Sequence, residues 1–209
     1  MNVLSQLIRP DLKPGTALPV YIGITIVGSA LYGLAFGIWR SPLQAVYSAI
    51  KMPLLFLSTI AASGLANAML SQVLGAGMSF RHVLLSITIG MAMTAALLGA
   101  LSPVALFFAL QSPASSAAYP WVLVGHTATI GLCGTVGMVR LYGLLSSLTA
   151  VPGRLLATWF LVSGFTGCQL SWILSPFLAM PDHPEPFFNP AAFSGNFYEY
   201  LWRTLVGGI

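Results

Sequence analysis

Val83 to Leu110, VLLSITIGMAMTAALLGALSPVALFFAL, carries no ionisable residue. At about 1.5 Å of rise per residue, a helix of this length outreaches a hydrocarbon core of roughly 30 Å. Lipid offers no partner to a free backbone N–H or C=O, so a stretch committed to it must close its hydrogen bonds internally, as a helix does. The rest of the chain agrees: 57% of residues are apolar and 6% are charged, where about a quarter of an ordinary soluble domain is charged. The sequence therefore reads as all-α, a polytopic transmembrane helix bundle.

Working outward, five spans are predicted at about 19–38, 53–75, 83–110, 121–139 and 155–180, together forming a transmembrane domain over 19–180. Tyr21 and Trp39 sit near the ends of the first span, where interfacial aromatics belong. Residues 1–18 read as an interfacial arm, because Arg9, Asp11 and Lys13 interrupt any signal-peptide apolar core. Ser41 and Pro42 look like an N-cap and first-turn proline opening a short interfacial helix at 42–51. Leu43, Val46, Tyr47 and Ile50 share one face of that helix, and Ser41, Gln44, Ser48 and Lys51 the other. Ser102 and Pro103 predict a kink in the central run, in preference to a split into a span and a re-entrant piece. A bend is expected at Pro176. Residues 181–209 read as an aromatic-rich interfacial tail, with Asn196 to Leu205 as a last amphipathic helix.

Five crossings put Arg9, Lys13, Arg81, Arg140 and Arg154 on one side, and Arg40, Lys51 and Arg203 on the other with Asp182, Glu185 and Glu199. The excess of basic residues then places the N-terminus in the cytoplasm and the C-terminus outside, as in an integral protein of the bacterial inner membrane. Membrane lipids are the surrounding partner. Nucleic acid is not expected despite the net charge of +4, because the eight Lys and Arg residues are scattered singly and form no patch that could follow phosphates. Cys133 and Cys168 both lie in apolar runs, where a free thiol packs as a small hydrophobe.

All four carboxylates, Asp11, Asp182, Glu185 and Glu199, fall outside the predicted spans, which argues against a carboxylate-driven pump. No HExxH, GxSxG or spaced His/Cys cluster appears, so no catalytic residue, metal ligand set or cofactor is implied. Asp182, His183 and Glu185 read as a solvated loop between prolines rather than as metal ligands. The remaining polar side chains are uncharged, plus one histidine. Thr59, Ser63, Asn67 and Ser71 recur every fourth residue on the second span; His126, Thr129, Cys133, Gly137 and Arg140 cluster on the fourth; Thr166 and Gln169 are neighbours on the fifth. Interhelical hydrogen bonding accounts for them without a ligand. The functional alternative is that Asn67, His126 and Gln169 converge on a polar cavity that admits a solute or lipid headgroup.

A basic residue and proline opening a span (Lys51, Pro53), followed by LGAGMSFRHVLL (Leu74 to Leu85), resembles the bacterial branch of the Yip1 superfamily of five-span membrane proteins. GCQLSWILSPF (Gly167 to Phe177) and PEPFFNPAAFSGNFYEYL are similar to a C-terminal signature of uncharacterised members. The resemblance implies the fold and a role as a membrane-embedded organiser. It transfers no catalytic residue, and the GTPase-binding role of eukaryotic members is not carried over, since only about eighteen residues precede the first span.

The expected function is that of a non-enzymatic membrane protein that anchors or organises a larger assembly with other membrane subunits or copies of itself. Gly33 and Gly37, Gly64 with Ala68, and Gly164 with Cys168 are the small-residue faces expected to admit a neighbouring helix. The alternative is a small channel or permease for an uncharged solute or lipid, lined by the polar faces of spans 2, 4 and 5. A lipid-directed enzyme with His126 or His183 as base is the outsider, because neither histidine has an acidic neighbour on its own span.

Overall fold

The computed structural model describes residues 14–190, 192, 194–199 and 202. Five long helices follow one another: α1 (Pro14–Gly37), α2 (Pro42–Val73), α3 (Phe80–Gln111), α4 (Tyr119–Ser146) and α5 (Pro152–Leu174). Four of them, α1 to α4, are long and apolar enough to cross a membrane. Short connections, including one that turns through Gly75 and Gly77 at φ 67°, make successive helices antiparallel neighbours.

α1 lies between α2 and α3, α4 packs on α3, α5 packs on α2, and α4 and α5 touch only lightly. The close approach of α1 to its neighbours follows from its glycines. A methyl group on Gly28 would strike the Ala95 carbonyl of α3, and one on Gly33 or Gly37 would strike the α2 backbone at Ser48 or Gln44. Tyr32, Ala35, Met52, Phe56, Ala95 and Leu98 fill the core of this trio. A second core at the opposite end joins α2 and α3 to α4 and α5 through Ile60, Val83, Leu145, Leu155 and Trp159.

Several expected boundaries move. The interfacial helix at 42–51 does not exist as a separate element, because α2 continues through Pro53 to Val73. A proline forfeits one backbone bond in a helix interior, yet packing against α1 on this side holds the axis together. Its polar face is not solvated either: Gln44, Ser48 and Lys51 are fully buried. α3, by contrast, passes through Pro103 as one helix with no split, the alternative that the sequence favours. α1 opens at Pro14 with Pro19 inside it, so residues 14–18 belong to the first helix rather than to an arm. The rest of that arm, residues 1–13, lies outside the described residues, as does half of the proposed helix at 196–205, of which 197–199 and 202 are helical. α5 ends at Leu174 instead of reaching Met180. Beyond it, residues 175–190 fold back irregularly across one end of the bundle, with Leu178 and Ala179 buried.

Candidate functional site

Fourth-residue spacing on a helix stacks side chains on one face, and α2 uses it to carry a polar seam for most of its length. Gln44, Ser48, Lys51, Thr59, Ser63, Asn67 and Ser71 are all buried. In the carboxyl-terminal half the seam faces α5. The Asn67 amide Nδ2 donates to Ser163 Oγ at 3.0 Å, the Ser63 and Ser163 hydroxyls lie 3.1 Å apart, and the Trp159 indole donates to Ser71 Oγ at 3.1 Å and the Asn67 carbonyl at 3.2 Å. The Thr59, Ser63 and Ser71 hydroxyls also donate to carbonyls one turn back in α2. Asn67 Oδ1 is buried with no partner among the described residues.

In the amino-terminal half the seam faces residues 176–187. Lys51 Nζ donates to the Pro176 carbonyl at 2.7 Å and the Pro186 carbonyl at 3.3 Å, and lies 5.2 Å from the ring centre of Phe187 and 5.8 Å from that of Tyr47. Gln44 Nε2 donates to the Phe177 carbonyl at 2.8 Å, and Ser48 Oγ to the same oxygen at 2.5 Å. Ser41 Oγ caps α2 by accepting from the Gln44 backbone N–H, and donates to Glu185 at 2.7 Å. Arg40 pairs with Glu185 at 3.4 Å. Every group that residues 40–51 offer in these contacts is a donor, and every group offered by 176–187 is an oxygen or an aromatic face. Carbonyl dipoles and ring quadrupoles are what compensate a buried ammonium here. Nearby, Ser116 donates to Asp182, and Tyr119 Oη donates to the Leu178 carbonyl at 3.2 Å.

The three residues that the functional alternative brings together are each engaged at a different contact. Asn67 belongs to the α2–α5 seam. His126 Nδ1 is 2.9 Å from Tyr32 Oη on α1, and its ring packs at 4.5 Å on Phe36. Gln169 Oε1 accepts from the Phe197 backbone N–H at 3.1 Å. Among the described residues no hydrogen bond joins any two of them. Cys133 and Gly137 follow His126 onto the buried face of α4, as the helical spacing anticipated, whereas Arg140 is exposed. Asp182 and Glu185 are held by Ser116, Ser41 and Arg40, and no three His, Cys, Asp or Glu side chains among the described residues gather into a metal-holding group.

The small-residue faces divide. Gly33 and Gly37 are filled by α2 itself, and Gly64 stands 3.3 Å from Leu84 of α3 when given a Cβ. Among the described residues Gly164 faces nothing within 4 Å. The same is true of four α4 glycines that sequence reasoning did not single out: Gly125, Gly131, Gly134 and Gly143. Of α4's apolar stretch only 11% is buried, against 44–50% for α1, α2 and α3. No protein-family model matches the chain, and neither does any curated protein or solved structure.

Sequence reasoning also missed Trp159 as a polar partner, and read Lys51 as a surface cation. The polar stripe at Ser41, Gln44, Ser48 and Lys51 was the available signal. What the stripe faces is set by residues more than a hundred positions away.

Proposed function

We propose that this protein is a non-enzymatic, membrane-embedded bundle that joins other membrane subunits, or copies of itself, through α4 and the adjoining edge of α5. The observation that carries this reading is the set of open glycines on α4. Glycine costs a helix about 0.5–1 kcal/mol relative to alanine, and within the single chain only Gly137, set against Thr94 of α3, returns that cost as close packing. Lipid tails gain nothing from such notches, but a second helix does, because small residues let backbones approach. Ala128, Gly131 and Thr135 lie on the exposed face turned away from buried His126 and Cys133, with Leu132 and Val136 beside them. The likeness of Leu74–Leu85 and Gly167–Phe177 to five-span Yip1-like proteins is in keeping with an organising role.

In this reading α5 is a fifth crossing, since its 23 residues span about 35 Å. The N-terminus is then cytoplasmic, in a bacterial inner membrane. Exposed Arg81, Arg140 and Arg154 share the end from which α1 starts, in accord with the bias of basic residues toward that side. The test is the mass of the particle in a mild detergent. An assembly larger than one chain that falls to a monomer in Gly131→Leu, with the fold intact, supports the proposal; a monomer in the unaltered protein defeats it.

A second reading, a small permease for an uncharged solute or lipid, draws on the α2–α5 seam, where Asn67 Oδ1 is buried without a partner among the described residues. Reconstituted flux lost in Asn67→Leu would favour it.

A further inference from the structure

The most extensively packed helix pair in the bundle, α1 with α3, leaves a groove on its outer side. Gly28 and Gly99 bring the two backbones so close that a methyl on Gly99 would lie 2.8 Å from Gly28 Cα. Beside that contact runs an apolar groove of about 530 Å³, with Val20, Gly23, Val27 and Leu31 on its α1 wall and Ala96 and Gly99 on its α3 wall. Val20, Val27 and Leu31 are exposed, and exposure on a membrane-spanning helix means contact with lipid. We propose that this groove seats the terminal half of one acyl chain of a bilayer phospholipid. The proposal rests on α1 and α3 crossing the membrane and is independent of assembly through α4. Gly90 and Thr94, where α3 meets α4, lie about 140–180° round the helix from Gly99.

Shape, depth and chemistry select the occupant. The floor is backbone against backbone, so α1 and α3 cannot move closer and erase the groove. From Val20 to Leu31 it runs for about 16 Å, so its volume corresponds to a mean cross-section of roughly 30 Å²; a helix about 10 Å across would need roughly 80 Å². That is room for one extended hydrocarbon chain and too little for a helix. In depth the groove is central: Val20 and Leu31 each lie six residues from an end of α1 (14 to 20, 31 to 37), and Ala96 is at the middle of α3 (80 to 111). With a hydrocarbon core of roughly 30 Å, the middle is where the chains of both leaflets end. Chemically, no lining side chain carries oxygen or nitrogen. Pro103 has no N–H to give the Gly99 carbonyl, but Ser102 Oγ donates to that oxygen at 2.7 Å. The groove thus offers a polar solute or a headgroup no partner, while a chain lying in it gains dispersion contact with both walls and the floor.

The experiment uses the full-length protein in phosphatidylcholine vesicles doped with a phosphatidylcholine that carries a photoreactive diazirine at the end of one chain. Adducts are mapped by mass spectrometry after irradiation. Residues 20–31 and 96–99 should carry at least fivefold more lipid adduct than exposed Leu54 and Leu65 of α2. A diazirine placed beside the ester should show no such enrichment. Gly23→Leu projects into the groove, where no atom among the described residues stands within 4 Å of the new Cβ; it should bring labelling down to the α2 level. Ala66→Leu, which adds the same bulk at an exposed site of α2, should leave the pattern unchanged. Even labelling of the unaltered protein, equal enrichment from the diazirine beside the ester, or enrichment that survives Gly23→Leu would overturn the proposal. If Gly23→Leu does not yield folded protein, Val27→Ala, which lowers the rim, takes its place: enrichment should fall at least twofold, and unchanged enrichment counts against the proposal.

Discussion

On α1, Gly28, Gly33 and Gly37 each receive the backbone of a neighbouring helix, whereas on α4 Gly125, Gly131, Gly134 and Gly143 meet nothing within 4 Å among the described residues. The same residue type thus marks finished packing on one side of the bundle and an unoccupied face on the other. Burial follows the same division. About half of the apolar stretches of α1 and α3 is buried and 44% of that of α2, but only 11% of that of α4. Polar side chains sharpen the contrast: α2 turns its hydroxyls and amides inward onto α5 and the 176–187 segment, while exposed Thr135 of α4 satisfies its hydroxyl on its own helix, donating to the Gly131 carbonyl. A membrane chain holds itself together by close backbone approach and interhelical hydrogen bonds rather than by an oil-versus-water difference. By that criterion α1, α2 and α3 form the self-sufficient part, and α4 is the part left over.

The largest effect is expected where glycine is already filled. Gly33→Leu drives a side chain into the α2 backbone at Ser48, and overpacking against backbone should cost about 3 kcal/mol or more. Thermal unfolding in detergent should show a lower, broader transition, and an unchanged midpoint would mean that α1 and α2 do not meet as described. Next comes the seam. Asn67→Leu removes the bond to Ser163 and, with it, an unpartnered acceptor, so the net loss should be only about 0.6–1.7 kcal/mol, within the range of interhelical bonds in membrane proteins. A loss of several kcal/mol would give Asn67 a role beyond bonding Ser163.

Smaller still is the coupling between Tyr32 and His126. A double-mutant cycle with Tyr32→Phe and His126→Phe should return about 0.6 kcal/mol, because Phe at 126 keeps a ring against Phe36 while losing the bond to Tyr32. Zero coupling would mean that the two polar atoms do not bond. The smallest effect on the isolated chain is expected on α4: Gly131→Ala should leave monomer stability unchanged or raise it by a few tenths of a kcal/mol, since no atom stands where the methyl would go. A large destabilisation there would erase the contrast between the two sides.

The helical architecture was legible because lipid leaves the backbone few choices, and Val83 to Leu110 alone was enough to imply it. Boundaries at prolines were not. Pro53 read as the start of a span, yet it lies inside a continuous helix, because the local loss of a bond is outweighed by packing along α2; Pro103 lies inside one helix, in line with the preference for a kink over a split. The α4 face carrying His126, Cys133 and Gly137 was legible from spacing alone, since a wheel needs no knowledge of neighbours. Where a polar face points does require them. Asn67, His126 and Gln169 look alike in sequence as lone polar groups in apolar runs, but Ser163, Tyr32 and the Phe197 amide hold them at three separate contacts. Lys51 was misplaced for the same reason: only the return of Pro176 and Pro186 to α2 makes a buried cation tolerable at that position.

The central claim, that α4 is the face of this bundle made for a partner helix, is tested most directly by placing a photo-crosslinking residue at Leu132 on α4 and, separately, at Leu31 on α1, both exposed apolar positions, in the native membrane. A discrete protein adduct from position 132, with only lipid adducts from position 31, is the predicted result. Lipid adducts alone from both positions, or equal protein capture from 31, would contradict it.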